Sequence, residues 1–246
     1  MLFADDVVLF SDSVIGPQTQ LNILYCTAKR LDMIVNLDKS NIVVFRNGGH
    51  LALRDKCFFF GDQVLEIVNK YKYLGIYLTK RLTFSPTLDD LASRARKGML
   101  AIVKLLWSIG EHSPEIFFKM FDSQIQPILT YGSEIWGLSD NQECIERVHL
   151  SALKKLMGVS SKSPRHLIYG ETGRYPLYVH TYARCIKFWL DLHGRQKVPQ
   201  KSIQYAIESS RSEEQYLGLQ YSKCFIQVWF WCCLGNAGCW GYKIVY

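Results

Sequence analysis

The chain has 246 residues, 48% hydrophobic and 13% aromatic, with 29 Lys and Arg against 22 Asp and Glu and a formal net charge of +7. That is enough apolar material for one large core or two small ones, and it excludes wholesale disorder, collagen-like repeats and linker proteins. No apolar run approaches the ~20 residues needed to cross a bilayer, and Asp5 and Asp6 follow Met1 too closely for a signal peptide, so an intracellular protein with no membrane partner is expected. The eight cysteines form no CxxC pair and are expected to stay reduced.

In chain order, Leu2-Phe3 and Val7 to Phe10 are short β-prone runs separated by Ala4-Asp5-Asp6, a hairpin with two carboxylates at its turn. Gly16-Pro17 opens a helix with Leu21, Leu24, Ala28, Leu31 and Ile34 at three- and four-residue spacing. Asn41 to Phe45 predicts a strand, Asn47 to Gly49 a turn, Cys57 to Phe60 and Val64 to Val68 a hairpin about Gly61-Asp62, and Tyr71 to Leu78 a further strand.

After Pro86 the period becomes helical. Thr87 to Asp90 has the form of a capping box, and Leu88, Leu91, Ala92, Ala95, Met99, Ile102, Val103 and Leu106 make one apolar face, with Arg94, Lys97 and Lys104 opposite. A second helix starts at Ser113-Pro114, buries Phe117, Phe121 and Ile125, and ends or kinks at Pro127. Asp140 is expected to cap a third, with Ile145, Val148, Ala152 and Leu156 inward. Ser163-Pro164 opens a short one, and Pro176 a fifth through Val179, Ala183, Ile186 and Leu190. The fold class is therefore α+β, an α/β part followed by an all-helical part. Residues 202–246, rich in Trp, Cys and Gly without period or caps, form an atypical tail, expected to be disordered or the product of a shifted frame.

Charge is distributed unevenly. Residues 1–146 sum to −2 and 202–246 to zero, whereas 147–201 hold 11 basic side chains against Glu171 and Asp191, a net +9. A clustered basic excess is the footprint of a polyanion partner, and Lys154, Lys155, Arg184 and Lys187 join Arg94, Lys97 and Lys104 as candidate nucleic-acid contacts. Tyr169, Tyr175, Tyr178 and Tyr182 interleave with these charges and are candidates for stacking on bases, or equally edges of an amphipathic core. Cys232, Cys233 and Cys239 lack metal-ligand spacing and no histidine follows His193, so no zinc knuckle is expected.

The chemistry points to Asp5 and Asp6. Adjacent carboxylates on a tight turn repel unless a divalent cation neutralises them, and Mg²⁺ favours carboxylate oxygens while keeping sites for phosphate. An acidic pair in a hairpin turn is also a common solvated feature. Context separates the two: Phe3-Ala4-Asp5-Asp6-Val7-Val8-Leu9, Asn36 to Asn41, Tyr71 to Leu78, Leu129 to Trp136, Leu156 to Val159 and Tyr169 to Gly173 resemble, in order, blocks of the reverse transcriptases of non-LTR (LINE-like) retrotransposons.

The resemblance implies a C-terminal fragment: 1–85 a truncated palm, 86–201 a basic helical thumb and connector, and 202–246 the tail. It implies Asp5 and Asp6 as catalytic, metal-binding carboxylates for Mg²⁺ or Mn²⁺, Lys39 as a cation near the leaving pyrophosphate, and Tyr73, Leu74 and Gly75 as contacts to the primer. The partners implied are an RNA template, a DNA primer and dNTP. The family also needs an aspartate from an earlier palm strand, and none precedes Phe3, so the isolated chain is expected to be inactive and to lack an upstream parent segment. The alternative is a non-catalytic nucleic-acid-binding protein that uses the basic helical segment.

Overall fold

The computed structural model describes residues 2–3, 6–11, 13, 15–46, 57–110, 113–139, 142–194 and 242–245. The chain divides into two compact units, Met1–Phe84 with Gln227–Tyr246, and Ser85–Ile226. Mixed helix and sheet content makes the fold α+β.

The first unit holds strands β1 (Leu2–Phe3), β2 (Asp6–Ser11), β3 (Asn41–Val44), β4 (Phe58–Phe60), β5 (Gln63–Ile67), β6 (Lys70–Tyr73), β7 (Ile76–Thr79) and β8 (Tyr242–Val245), with helix α1 (Ile15–Arg30) after β2. Six strands form a sheet in the order β1-β2-β8-β3-β5-β4, in which β3 and β5 are parallel and the other pairs antiparallel. β8, from the tail, fills the place between β2 and β3. β6 and β7 form a separate hairpin.

Alternation sorts β2 onto two faces. Leu9 packs with Leu21, Leu24 and Tyr25 of α1 and with Ile42, Val44, Phe58, Phe60 and Leu65. Val8 and Phe10 instead pack against Tyr73, Leu74 and Leu78 of the β6–β7 hairpin. α1 also ties down the sheet edge: the Gln18 amide donates to Phe59 O at 2.8 Å and accepts from Phe59 N–H at 2.9 Å, so a side chain takes the place of a neighbouring strand on β4.

Two local expectations change in this unit. α1 stops at Arg30, leaving Leu31 and Ile34 exposed. The cause is Asp32, left-handed at φ 53°, which with Met33 N–H donating to Ala28 O and Asp32 N–H to Lys29 O closes a Schellman motif. The segment 71–78 is not one strand but two, joined by Leu74-Gly75 at φ 47° and 82°, the two-residue turn that matches strand twist. Asn47 to Gly49, expected as a turn, lies outside the described residues.

The second unit is helical: α2 (Ser85–Ser108), α3 (Pro114–Met120), α4 (Gln126–Leu129), α5 (Ser133–Trp136), α6 (Glu143–Leu156), α7 (Arg165–Thr172) and α8 (Leu177–Gly194). The expected apolar face of α2 is buried, apart from half-buried Val103. The helix starts two residues before the expected cap, because Pro86 suits the first turn, and Thr87 is fully buried inside it. α3 and α4 are joined by a π-turn over Phe121–Ile125, with Gln126 N–H donating to Phe121 O. Pro127 has no N–H to give, and the widened turn lets the chain pass it without ending. Asp140 lies outside the described residues, and α6 begins at Glu143. α8 turns a different face inward: Leu177, Thr181 and Cys185 are buried, while Val179, Ile186 and Leu190 are exposed. The Thr181 backbone of α8 passes so close to Gly137, just after α5, that no side chain fits at position 137.

Candidate functional site

Asp6 opens β2, paired with Phe3 across the β1–β2 turn, and lies half-buried. Alternation puts it on the face of β2 that carries Val8 and Phe10, the face covered by the β6–β7 hairpin. Tyr71 of that hairpin lies beside it: burial, and then the Asp6 charge, push the Tyr71 phenol above its ordinary value. The same phenol donates at 3.2 Å to the carbonyl of Lys39. Lys39 sits in a 3-10 turn, Leu37–Lys39, whose start is capped by the Asn36 side chain accepting from Lys39 N–H, and whose end is held by Ser40 Oγ donating to Asn36 O at 2.7 Å. Its side chain is exposed.

Asp6, Tyr71 and Lys39, from three separate segments, thus share one neighbourhood. Tyr71 was assigned no role from sequence; a tyrosine two residues before Tyr73 carries no signal until the strand is folded back at Leu74-Gly75. Asp5 and Ala4 lie outside the described residues. Tyr73 is buried with Val8 and Leu78, and Leu74, half-buried at the turn, packs at the margin of the same cluster.

The basic candidates divide by their partners. Arg94 pairs with Asp90 at 3.2 Å on the exposed face of α2, where Lys97 and Lys104 also lie. Lys154 donates to Ser161 O at 2.6 Å and holds the α6–α7 loop. Arg184 donates to Glu134 at 2.7 and 3.1 Å and to Thr130 Oγ1 at 2.8 Å, clasping α5 to α8. Arg165 pairs with Glu143 and Arg174 with Asp122. Lys155 and Lys187 are exposed and make no ion pair among the described residues. The acidic partners Asp122, Glu134 and Glu143 all come from outside the basic segment, so part of its +9 is neutralised by folding. Of the interleaved tyrosines, Tyr175, Tyr178 and Tyr182 are exposed, the last two edge to face at 5.8 Å. Tyr169 points inward to Glu146.

That inward contact belongs to a buried polar cluster the sequence did not announce. Glu146, 6% exposed, accepts from the Tyr169 hydroxyl, from Leu177 N–H at 2.8 Å and from His149 Nδ1 at 3.3 Å. Burial alone pushes its carboxyl up, but the bonds from His149 and Tyr169, the His149 charge and Leu177 N–H hold it below the ordinary carboxylate value. Glu146 and His149 are three apart on α6, a spacing visible in the sequence, but their burial is not.

Among the described residues no group of three or more His, Cys, Asp or Glu side chains is arranged to hold a metal ion. Of the acidic pair expected at the hairpin, Asp6 is described and Asp5 lies outside the described residues. Among the described residues, no helix is long and apolar enough to cross a membrane.

No protein-family model matches the chain, and no solved structure matches it significantly. It is 29% identical over 139 residues to a Drosophila melanogaster protein named "Probable RNA-directed DNA polymerase from transposon X-element", an alignment covering 56% of this chain and 14% of that protein. It is 28% identical over 169 residues to a transposon-derived protein of Caenorhabditis elegans, covering 66% of this chain and 58% of that one. The chain thus spans less than two thirds of either relative. These partial similarities together support a retrotransposon-related protein.

Proposed function

We propose that the chain is part of a reverse-transcriptase-like polypeptide whose first unit contributes the acidic end of a polymerase palm and whose helical unit holds nucleic acid. Asp5 and Asp6 bind Mg²⁺ or Mn²⁺, Lys39 stands near the nucleotide phosphates, and the turn at Tyr73, Leu74 and Gly75 contacts the primer. The observation that carries this reading is that Asp6 and the Lys39 carbonyl both lie against Tyr71, a residue of the hairpin that bears the primer-contact turn. RNA template, DNA primer and dNTP are the partners. In this reading the chain alone binds a primer-template duplex without extending it.

The basic excess of residues 147–201 favours one other reading, a non-catalytic nucleic-acid-binding protein that uses the basic helical segment. Binding of a labelled RNA–DNA hybrid, with Mg²⁺ and with EDTA, separates them. The polymerase reading expects Mg²⁺ to strengthen binding and Asp5→Asn with Asp6→Asn to abolish that gain. Binding indifferent to both favours the second reading. Absence of hybrid binding, or template-directed dNTP incorporation by the chain alone, overturns the proposal as stated.

A further inference from the structure

Helix α2 packs its buried face, from Leu88 to Leu106, against α4 and α6. The opposite face combines cations with large apolar side chains. Lys97, Leu100, Lys104 and Trp107 follow one another at spacings of three and four, so they line one face over about 15 Å of helix. All four are exposed, Leu100 at 48% and Trp107 at 73%. Arg96, one turn before Leu100, is exposed at the edge of the same face.

The charge here is one-sided. Arg94, further round the helix, pairs with Asp90, whereas Arg96, Lys97 and Lys104 make no ion pair among the described residues. No acidic residue occurs between Asp90 and Glu111. Three cations spread along the helix complement an extended anion better than a single point charge.

Trp107 adds a demand that charge alone does not make. Trp136 is fully buried, but the Trp107 indole stands in solvent on a helix end that is already closed, with left-handed Gly110 donating its N–H to Trp107 O at 3.2 Å. An exposed aromatic face beside cations suits a partner that is anionic and carries flat rings. An unpaired nucleic-acid strand has both, phosphates for the cations and a free base for the indole. In a duplex the bases are already stacked on one another, and the phosphates alone remain to be bound. An anionic lipid surface fits less well, because Leu100 and Trp107 alternate with Lys97 and Lys104 on one line, and sinking the apolar pair would sink the charges with it.

We propose that this face of α2 binds a single-stranded nucleic acid, with Lys97 and Lys104 on its phosphates and one unpaired base stacked on Trp107. The choice of nucleic acid among extended anions rests on the reading above; the unpaired strand and the stacking role of Trp107 go beyond it.

The test is fluorescence anisotropy of the full chain with labelled oligouridylate, competed by inorganic polyphosphate, which keeps the charge and lacks the bases, and by vesicles of phosphatidylserine and phosphatidylcholine. Trp107→Ala is expected to weaken oligouridylate by at least about five-fold and to leave polyphosphate unchanged, while Trp107→Phe retains most of the affinity. Lys97→Ala and Lys104→Ala should weaken both ligands, each lowering the slope of log affinity against log salt by about 0.7. Unchanged polyphosphate binding also shows that the Trp107→Ala chain is folded. No oligouridylate binding, binding indifferent to Trp107→Ala, or an equal loss for polyphosphate overturns the proposal. Vesicle binding that Trp107→Ala abolishes while oligouridylate is unaffected overturns it in favour of a lipid surface. The Mg²⁺ dependence of hybrid binding is measured on the same samples. Its loss with the Trp107 effect retained defeats only the polymerase reading, and its retention without a Trp107 effect defeats only this proposal.

Discussion

Glu146 is the residue on which the helical unit depends most directly. One carboxylate accepts bonds from α7, from the first N–H of α8 and from its own helix, so three elements meet on two oxygen atoms. Glu146→Gln keeps the shape but exchanges an acceptor for a donor facing Leu177 N–H or Tyr169, and the expected loss of stability is about 2–3 kcal/mol at pH 7. The pH dependence follows from the direction of the shift. The folded carboxyl sits below its ordinary value of 4.5, so its stabilisation is fully present above that value and is lost as pH falls through the folded pKa. Thermal unfolding of wild type and Glu146→Gln should therefore differ at pH 7 and converge toward pH 3. Cys185 illustrates the opposite case: burial, then the Glu134 charge, push its thiol up to about 12, and Sγ donates to Glu134 O at 3.4 Å, so it behaves as a packing residue.

Among elements, the contact of α5 with α8 explains two things the pattern of apolar residues did not. Trp136 is fully buried, its Nε1–H donating to Tyr131 O at 2.9 Å, and Gly137 follows with no room for a side chain. A Cβ there would lie 2.4 Å from Ser133 O and 2.7 Å from Thr181 O, both backbone atoms that cannot step aside. Gly137→Ala is expected to cost about 3 kcal/mol. Gly170, in α7, belongs to another of the resembling blocks, but a Cβ there meets nothing within 4 Å. Gly170→Ala should raise stability by about 0.5–1 kcal/mol through helix propensity alone. Chemical denaturation of the two variants side by side checks both signs. On α8, Val179, Ala183 and Ile186 read as an apolar face, but the buried residues are Leu177, Thr181, whose hydroxyl donates to Gln142 Oε1 at 2.8 Å, and Cys185, whose Sγ donates to Glu134 O at 3.4 Å.

At the scale of the molecule, the net charge of residues 147–201 overstates what a partner meets, because Arg165, Arg174 and Arg184 find carboxylates from earlier in the chain. If the helical unit tracks a phosphate backbone, the exposed lysines carry that role. Lys155→Ala and Lys187→Ala should each reduce the slope of log affinity against log salt for an RNA–DNA hybrid by about 1, while Arg165→Ala leaves it unchanged. Fluorescence anisotropy across a salt series measures all three.

How much of this was legible beforehand depended on range. Element types came through wherever a period or a turn signal was local: the Asp5-Asp6 hairpin, the β4–β5 hairpin about Gly61-Asp62, and the buried stripe of α2 from Leu88 to Leu106. Boundaries failed where one residue's backbone overrode its neighbours, at left-handed Asp32 and at Leu74-Gly75, since a positive φ in a non-glycine residue leaves no mark in a hydrophobic pattern. Of the candidate site, the sequence supplied Asp5, Asp6 and Lys39 as separate motifs, and only the fold put Asp6 and Lys39 beside a common Tyr71.

The sequence by itself determined the α+β composition, several of the strands and longer helices, the acidic hairpin and the uneven charge, because each rests on propensity, periodicity or counting along a few tens of residues. Tertiary structure decided which face of α8 is buried, which arginines find carboxylate partners, and that Glu146, His149 and Tyr169 meet in one buried polar cluster. Those outcomes depend on pairs 22 to 52 residues apart, such as Arg165 with Glu143 and Arg174 with Asp122, and no local pattern encodes a distance of that kind.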